Sequence, residues 1–355
     1  MEWTKIPEPL LLWYDANARV LPWRQEPTPY RVWVSEIMLQ QTRVEAVKPY
    51  FARFLQELPG ISDLAEASED QILKLWEGLG YYSRVRNMQK AAQVIAEKYG
   101  GEMPADYDKI RALPGIGSYT AGAIASIAFQ IPKPAVDGNV LRVLSRLLAS
   151  YEDILKQSVK RRMEEQVERI IPRERPGDFN QSLIELGALV CVPNGAPKCQ
   201  SCPLSGLCEA RKKGIQLELP KKTPPKARKQ EKRTVLALVS DNKIVLRKRP
   251  PKGLLAGLYE LPNEKGTWTE EQAVSYVRSQ GLSPLRIRRL GEAKHIFSHV
   301  EWQMCGYLVR IEEPEMNESL KPEEGLVFVE KEEMERRYSI PSAFEYYVNY
   351  LKETL

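Results

Sequence analysis

The chain has 355 residues, 28% charged and 43% hydrophobic, a composition that suits a soluble globular protein with room for two separate cores. The longest strongly apolar run, residues 121–131, is too short to span a bilayer, and the N-terminus offers only a brief Leu10-Leu11-Leu12 core, so neither a membrane span nor a secretory signal is expected. The formal charge of +5 is concentrated in residues 211–233, where ten Lys and Arg face two Glu; this excludes a generally cationic protein.

Residues 1 to about 210 read as helical. Apolar residues recur at spacings of three and four over 29–52, 68–76, 82–99, 119–129, 140–148, 159–171 and 179–189, with Pro and Gly between. Glu36 lies inside the first of these. On a helix, Val32 and Leu39 share its face, and a carboxyl on an apolar face has a raised pKa. The plainer alternative pairs Glu36 with Arg31 or Arg43. Further on, Leu113-Pro114-Gly115-Ile116-Gly117 separates two helical stretches. Its two glycines allow a sharp turn and close approach of a partner, and the helix starting near Ser118 offers free N–H groups to a phosphate.

Ala135-Val136-Asp137-Gly138-Asn139-Val140 leads into another helix. Asp137 reads as its N-cap, and donors there are expected to keep the carboxylate ionised. Glu36 and Asp137 would then be two carboxyls with pKa values pushed apart, the arrangement that assigns acid and base roles and cleaves glycosidic bonds. Cys191, Cys199, Cys202 and Cys208 follow at C-x7-C-x2-C-x5-C. Four thiolates can close around one metal centre, either zinc or a 4Fe-4S cluster; the spacing leans toward zinc. Clustered cysteines of this kind are no disulfide framework and point to an intracellular protein, cytoplasmic and, in a prokaryote, nucleoid-associated.

After the cysteines comes a Pro/Lys-rich connector that either lies along phosphates or is a solvated linker. From Thr234 the pattern changes to short β-branched runs at 235–239, 244–247, 307–311 and 326–329, with one helix at 270–280. The expected organisation is an all-α domain at 1–214 holding a cysteine loop at 191–208, a basic linker at 215–232, and an α+β domain at 233–355. Cys305 belongs to no motif and reads as core.

In combination and order, these motifs resemble the helix-hairpin-helix endonuclease III superfamily across the whole N-terminal domain. Leu21-Pro22-Trp23-Arg24, Val34 through Thr42 (VSEIMLQQT), Gly78-Leu79-Gly80-Tyr81-Tyr82 and Val136-Asp137-Gly138-Asn139-Val140 resemble MutY-type adenine DNA glycosylases specifically. The resemblance implies a 4Fe-4S cluster on the four cysteines, although the first gap is seven residues where the family has six; an extra residue such as Gly195 can bulge there. It implies double-stranded DNA carrying adenine opposite 8-oxoguanine or guanine as the partner, bound by a monomer with Gly115 and Gly117 on the phosphates. Gln41 and Tyr81 would enter the base stack, with Thr42 and Leu79 beside them. Arg19, Leu21, Trp23, Arg24, Gln181 and Glu185 would line the adenine pocket. Glu36 would protonate N7 of the extruded adenine, Asp137 would stabilise the sugar cation, and Tyr119 and Asn139 would orient these groups. Bifunctional relatives carry a lysine where this chain has Tyr119, which implies a monofunctional glycosylase.

The C-terminal domain resembles the Nudix fold, read in this family as an 8-oxoguanine recognition domain. Aligned on Gly281, the places of the hydrolytic Glu-Glu pair hold Arg278 and Ser279, so binding without hydrolysis is expected. Phe297-Ser298-His299 matches the lesion-reading loop; without that context it reads as a strand end. Two rival classes remain: a bifunctional glycosylase/lyase for oxidised pyrimidines, against which Tyr119 stands, and a non-catalytic DNA-binding module, against which Glu36 and Asp137 stand.

Overall fold

The computed structural model describes residues 2–313 and 325–354. Residues 314–324 and the terminal Met1 and Leu355, which fall in the two domains drawn above, lie outside the described residues. The chain forms two compact units, Met1–Ala67 with Ser83–Pro224, and Ser68–Tyr82 with Pro225–Leu355. A short helical segment thus belongs with the C-terminal unit although the sequence places it inside the helical domain.

The first unit contains α1 (Pro7–Asn17), α2 (Pro22–Gln25), α3 (Pro29–Leu39), α4 (Val44–Glu57) and α5 (Ile61–Glu66). After α6 (Glu69–Leu75), which lies in the second unit, it continues with α7 (Ser83–Tyr99), α8 (Tyr107–Arg111), α9 (Ser118–Phe129), α10 (Gly138–Leu147), α11 (Gln157–Ile170), α12 (Pro176–Leu189) and α13 (Glu209–Lys212). Prolines open α1, α2, α3 and α12, where the missing N–H costs no bond. Helix α9 is the central rod: Thr120 through Ile127 are all buried. A Cβ on its Gly122 would sit 1.9 Å from the Pro134 carbonyl oxygen, so only glycine lets the segment that delivers Asp137 cross α9. The apolar stripe of α10 (Val140, Val143, Leu144, Leu147) packs with Phe179, Leu183 and Leu186 of α12 and Leu10 of α1. Each such side chain contributes about 1.5–3 kcal/mol by leaving water.

The single helical stretch expected at 29–52 is divided. Helix α3 stops at Leu39, α4 starts at Val44, and between them Gln41 takes a left-handed backbone (φ 63°). Arg84 on α7 closes the break by donating to the carbonyls of Ile37 and Gln40 at 2.7 and 2.6 Å. A continuous apolar period hides such a break, because both helices face the same core.

In the second unit a mixed seven-stranded sheet has the order β3-β2-β1-β6-β5, with β4 on β1 and β7 on β2. The strands are β1 (Lys229–Ser240), β2 (Lys243–Lys248), β3 (Tyr259–Glu260), β4 (Asn263–Lys265), β5 (Pro284–Ile296), β6 (Val300–Ile311) and β7 (Leu326–Glu330). β1 and β6 run parallel in the centre. The apolar run 235–239 is buried on both faces. Val235, Ala237 and Val239 pack with Phe344 and Tyr347, while Leu236 and Leu238 pack with Ala273 and Val277 of α14 (Glu270–Ser279). Helices α15 (Lys331–Arg337) and α16 (Glu345–Thr354) complete the unit. Strand β1 begins at Lys229, inside the stretch read as linker, and β5 carries so many charges that no run was legible in it.

Candidate active site

Thr28 caps α3 by accepting a hydrogen bond from Arg31 N, and α3 carries Glu36 inward, 7% exposed. Val32, Glu36 and Leu39 all line one cavity of about 800 Å³, as the shared helix face requires. Arg31 pairs with Glu26 at 2.7 Å, and among the described residues neither Arg31 nor Arg43 forms an ion pair with Glu36. The partner of Glu36 is Tyr119, second residue of α9, whose hydroxyl donates to Glu36 Oε2. Burial raises the Glu36 carboxyl to about 7; the Tyr119 hydroxyl opposes the rise and the nearby Asp137 charge adds to it. Burial also lifts the Tyr119 hydroxyl well above its ordinary value, so it remains a donor at neutral pH.

Asp137 is the N-cap of α10: Oδ1 accepts from Val140 N at 2.8 Å and Oδ2 from Asn139 Nδ2 at 2.7 Å. Asn139 Oδ1 in turn accepts from Arg142 Nη2 at 3.0 Å, and Arg142 Nε donates to the Cys191 carbonyl at 2.8 Å. The expectation that cap donors hold this carboxylate low is corrected. Asp137 is partly open to the cavity, but so much protein surrounds it that burial outweighs those donors and moves its pKa up as well. The two carboxyls therefore shift in the same direction.

Arg19, Leu21, Trp23, Arg24, Gln41, Thr42, Tyr119, Asn139 and Gln181 line the same cavity. Glu185 does not. It is fully buried, accepting from Arg19 Nε at 2.7 Å and from Arg24 Nη2 at 2.9 Å. Burial alone would raise its carboxyl, but the two guanidiniums together outweigh that and hold it at about 2. Its contribution to the wall is to fix the two arginines that line it. Gly117 caps α9 without a side chain and lines the cavity; Gly115 has φ 74°, and a Cβ there would lie 2.6 Å from Asn87 Cβ.

Leu79 and Tyr81 belong to the second unit, with Phe297, Ser298 and His299. The last three form the turn between β5 and β6, closed by Phe297 N donating to Val300 O at 2.8 Å. Phe297 packs edge-on against Trp302 with ring centres 4.9 Å apart, while Ser298 and His299 are exposed. The Tyr81 hydroxyl and Ser298 Oγ are 3.1 Å apart. Tyr81, like Gln41, has a left-handed backbone (φ 49°), a strained conformation for a residue with a side chain.

The four clustered cysteines carry no disulfide and line one cavity with Arg146 and Gln216. Arg146 Nη1 donates to Cys191 Sγ at 3.2 Å. Gly195, inside the first gap, takes a left-handed backbone (φ 74°). Among the described residues no three metal-binding side chains converge as a single ion requires. Four thiols around one void are a donor set that can hold a metal centre, either a zinc ion or an iron–sulfur cluster. Sequence reasoning missed Arg142, whose only signal was its helical spacing from Asn139, and Lys160 and Lys222, which also line the cavity around Glu36 and Asp137.

Residues 34–169 match the HhH-GPD superfamily of base excision DNA repair proteins, and residues 234–350 match the NUDIX domain. The chain is 36% identical over 367 residues to an adenine DNA glycosylase of Homo sapiens, covering 86% of this chain and 67% of that one. With the adenine DNA glycosylase of Buchnera aphidicola subsp. Baizongia pistaciae it shares 37% identity over 294 residues and 82% of each chain. The chain belongs to the adenine DNA glycosylase family. Among solved structures the chain is similar to a thermostable thymine-DNA glycosylase (TM-score 0.53, 28% identity, 60% of this chain and 98% of that one). It is likewise similar to endonuclease III in a non-covalent DNA complex (TM-score 0.51, 26% identity, 61% and 99%). The glycosylase is an N-glycosyl hydrolase of base excision repair, with the helical and Nudix-like architecture that its motifs implied. No helix among the described residues is long and apolar enough to cross a membrane.

Proposed function

We propose that this glycosylase removes adenine paired with 8-oxoguanine, or with guanine, and leaves an abasic site without cutting the strand. It would act as a monomer on double-stranded DNA in the cytoplasm or nucleoid. The observation that carries the reading is the grouping of Glu36, Tyr119, Asp137 and Asn139 on one cavity, with Glu36 still able to hold a proton near pH 7. Adenine is unreachable inside a duplex and is extruded into the cavity. Glu36 donates its proton to N7, the N-glycosidic bond breaks, and the electron pair leaves with adenine. Asp137 stabilises the oxocarbenium sugar; Glu36, now a carboxylate, takes a proton from the attacking water. Tyr119 holds Glu36 through a hydroxyl where a lyase would need an amine. In the second unit the exposed Ser298, beside Tyr81, and the exposed His299 would form the face that reads the oxidised base.

The test uses A:8-oxoguanine and A:G duplexes, analysed with and without alkali. Cleavage that needs alkali is expected on both. Alkali-independent cleavage would overturn the monofunctional reading, and its absence on both duplexes the glycosylase assignment to these pairs. Replacing Phe297, Ser298 and His299 with Ala should lower the preference for 8-oxoguanine while A:G excision survives, each lost contact costing about 1–3 kcal/mol. Full preference in the triple variant would exclude the turn as reader.

The four cysteines are proposed to hold one 4Fe-4S cluster, which would fix the 191–208 loop. The purified protein should be yellow-brown with iron and sulfide bound, and Cys199→Ser should lose colour and bind duplex more weakly. Stoichiometric zinc without iron would rule the cluster out.

A further inference from the structure

The connector after the cysteines is not wholly a solvated linker. Leu219 is buried, and its carbonyl accepts from Arg146 Nε at 3.0 Å. Lys221 forms a parallel bridge with Asp153, and its carbonyl accepts from Ile154 N at 3.2 Å. Thr223 donates to Asp153 Oδ2 through both its N–H, at 3.1 Å, and its hydroxyl. The Tyr151 hydroxyl donates to Glu218 at 2.9 Å, and the Lys221 ammonium lies 5.3 Å from the Tyr151 ring centre. Residues 218–223 are therefore a strap pinned along residues 151–154.

The pinning has an electrostatic consequence. It places Lys222 on the wall of the catalytic cavity, together with Lys160 of α11. The carboxylates of that wall are engaged elsewhere: Glu36 accepts from Tyr119, Asp137 from Val140 and Asn139, and Glu164 from Ser118 Oγ at 2.8 Å. Among the described residues neither Lys160, which is half-buried, nor Lys222 has a carboxylate partner. Two lysines without a carboxylate partner among the described residues thus line the cavity that also holds Glu36 and Asp137. When a sugar is at Glu36 and Asp137, its flanking phosphates bring anions to the same cavity.

We propose that Lys160 and the strap-held Lys222 form a phosphate clamp on the strand that carries the extruded adenine. The clamp rests on the base-extrusion reading above. The test measures binding of the full chain, over a salt series, to a duplex with a non-cleavable tetrahydrofuran abasic analogue opposite 8-oxoguanine. Lys160→Met and Lys222→Met keep the apolar stems. Each should weaken binding and make the slope of log affinity against log salt shallower by about one, and the double variant by about two. Asp153→Ala, which unpins the strap, should reproduce the Lys222→Met slope and add nothing to it. A wild-type slope in the double variant overturns the clamp; loss in the double variant with a wild-type slope in Asp153→Ala overturns the role of the strap. Adenine excision by the wild type, run in parallel, separates these outcomes from failure of the extrusion reading, because the salt slope needs no excision.

Discussion

Glu36→Gln is expected to lower the single-turnover rate of adenine excision by about 10²–10⁴-fold, the usual contribution of a general acid, while duplex affinity stays near that of the wild type. The amide keeps the shape of the carboxyl and can still accept from the Tyr119 hydroxyl, so the cavity should persist. In the wild type the acid must be protonated. With Glu36 raised to about 7, the rate should fall as pH climbs past neutrality, and this limb should vanish in the variant. The same shift makes a stability statement. Below the ordinary carboxyl value of 4.5, Glu36 is protonated in both folded and unfolded chains. Between that value and about 7 the unfolded chain ionises while the folded one keeps its proton, so this group's contribution to stability declines as pH rises. Glutamine removes the loss. Glu36→Gln should therefore be more stable than the wild type at pH 8, by on the order of 1–3 kcal/mol, with little difference near pH 4. Thermal unfolding at both values measures it. An active variant across neutral pH would mean that the proton comes from elsewhere.

Motifs with fixed local geometry were legible in the sequence. The face shared by Val32, Glu36 and Leu39 follows from helical spacing alone, and the Asp137 cap follows from residue type before an apolar-periodic run. What could not be read depends on how remote segments meet. Glu185 and its two arginines are more than 160 positions apart, so a residue of the pocket motif turned out to act beneath the wall. The break at Gln41 is fixed by Arg84, on another helix. Strand β5 alternates poorly because it is an edge of the sheet, where only one neighbour and part of one face constrain it. The Asp137 shift was misjudged for a similar reason: cap donors are local and visible in sequence, whereas the protein mass that desolvates the carboxyl is not.

Asp137→Asn is expected to abolish most of the excision rate, by at least the tenfold that separates an essential charge from a helix cap. Asparagine caps helices about as well as aspartate, so α10 should survive. The relay beyond it is less tolerant. Asn139 donates to Asp137 Oδ2, and Arg142 donates to Asn139 Oδ1. An amide at 137 sets N–H against N–H; turning Asn139 around moves the clash to Arg142. The substitution should thus cost about 1–3 kcal/mol in stability as well as the charge. A second change separates the two effects. In Asp137→Asn/Asn139→Asp, the new carboxylate at 139 accepts from both neighbours, so the donor–acceptor order is restored while the charge no longer faces the sugar. Thermal stability should recover toward the wild type and the single-turnover rate should not. Recovery of both would mean that Asp137 acts only by holding the relay together, and retention of more than about a tenth of the rate by the single variant would reduce it to a cap.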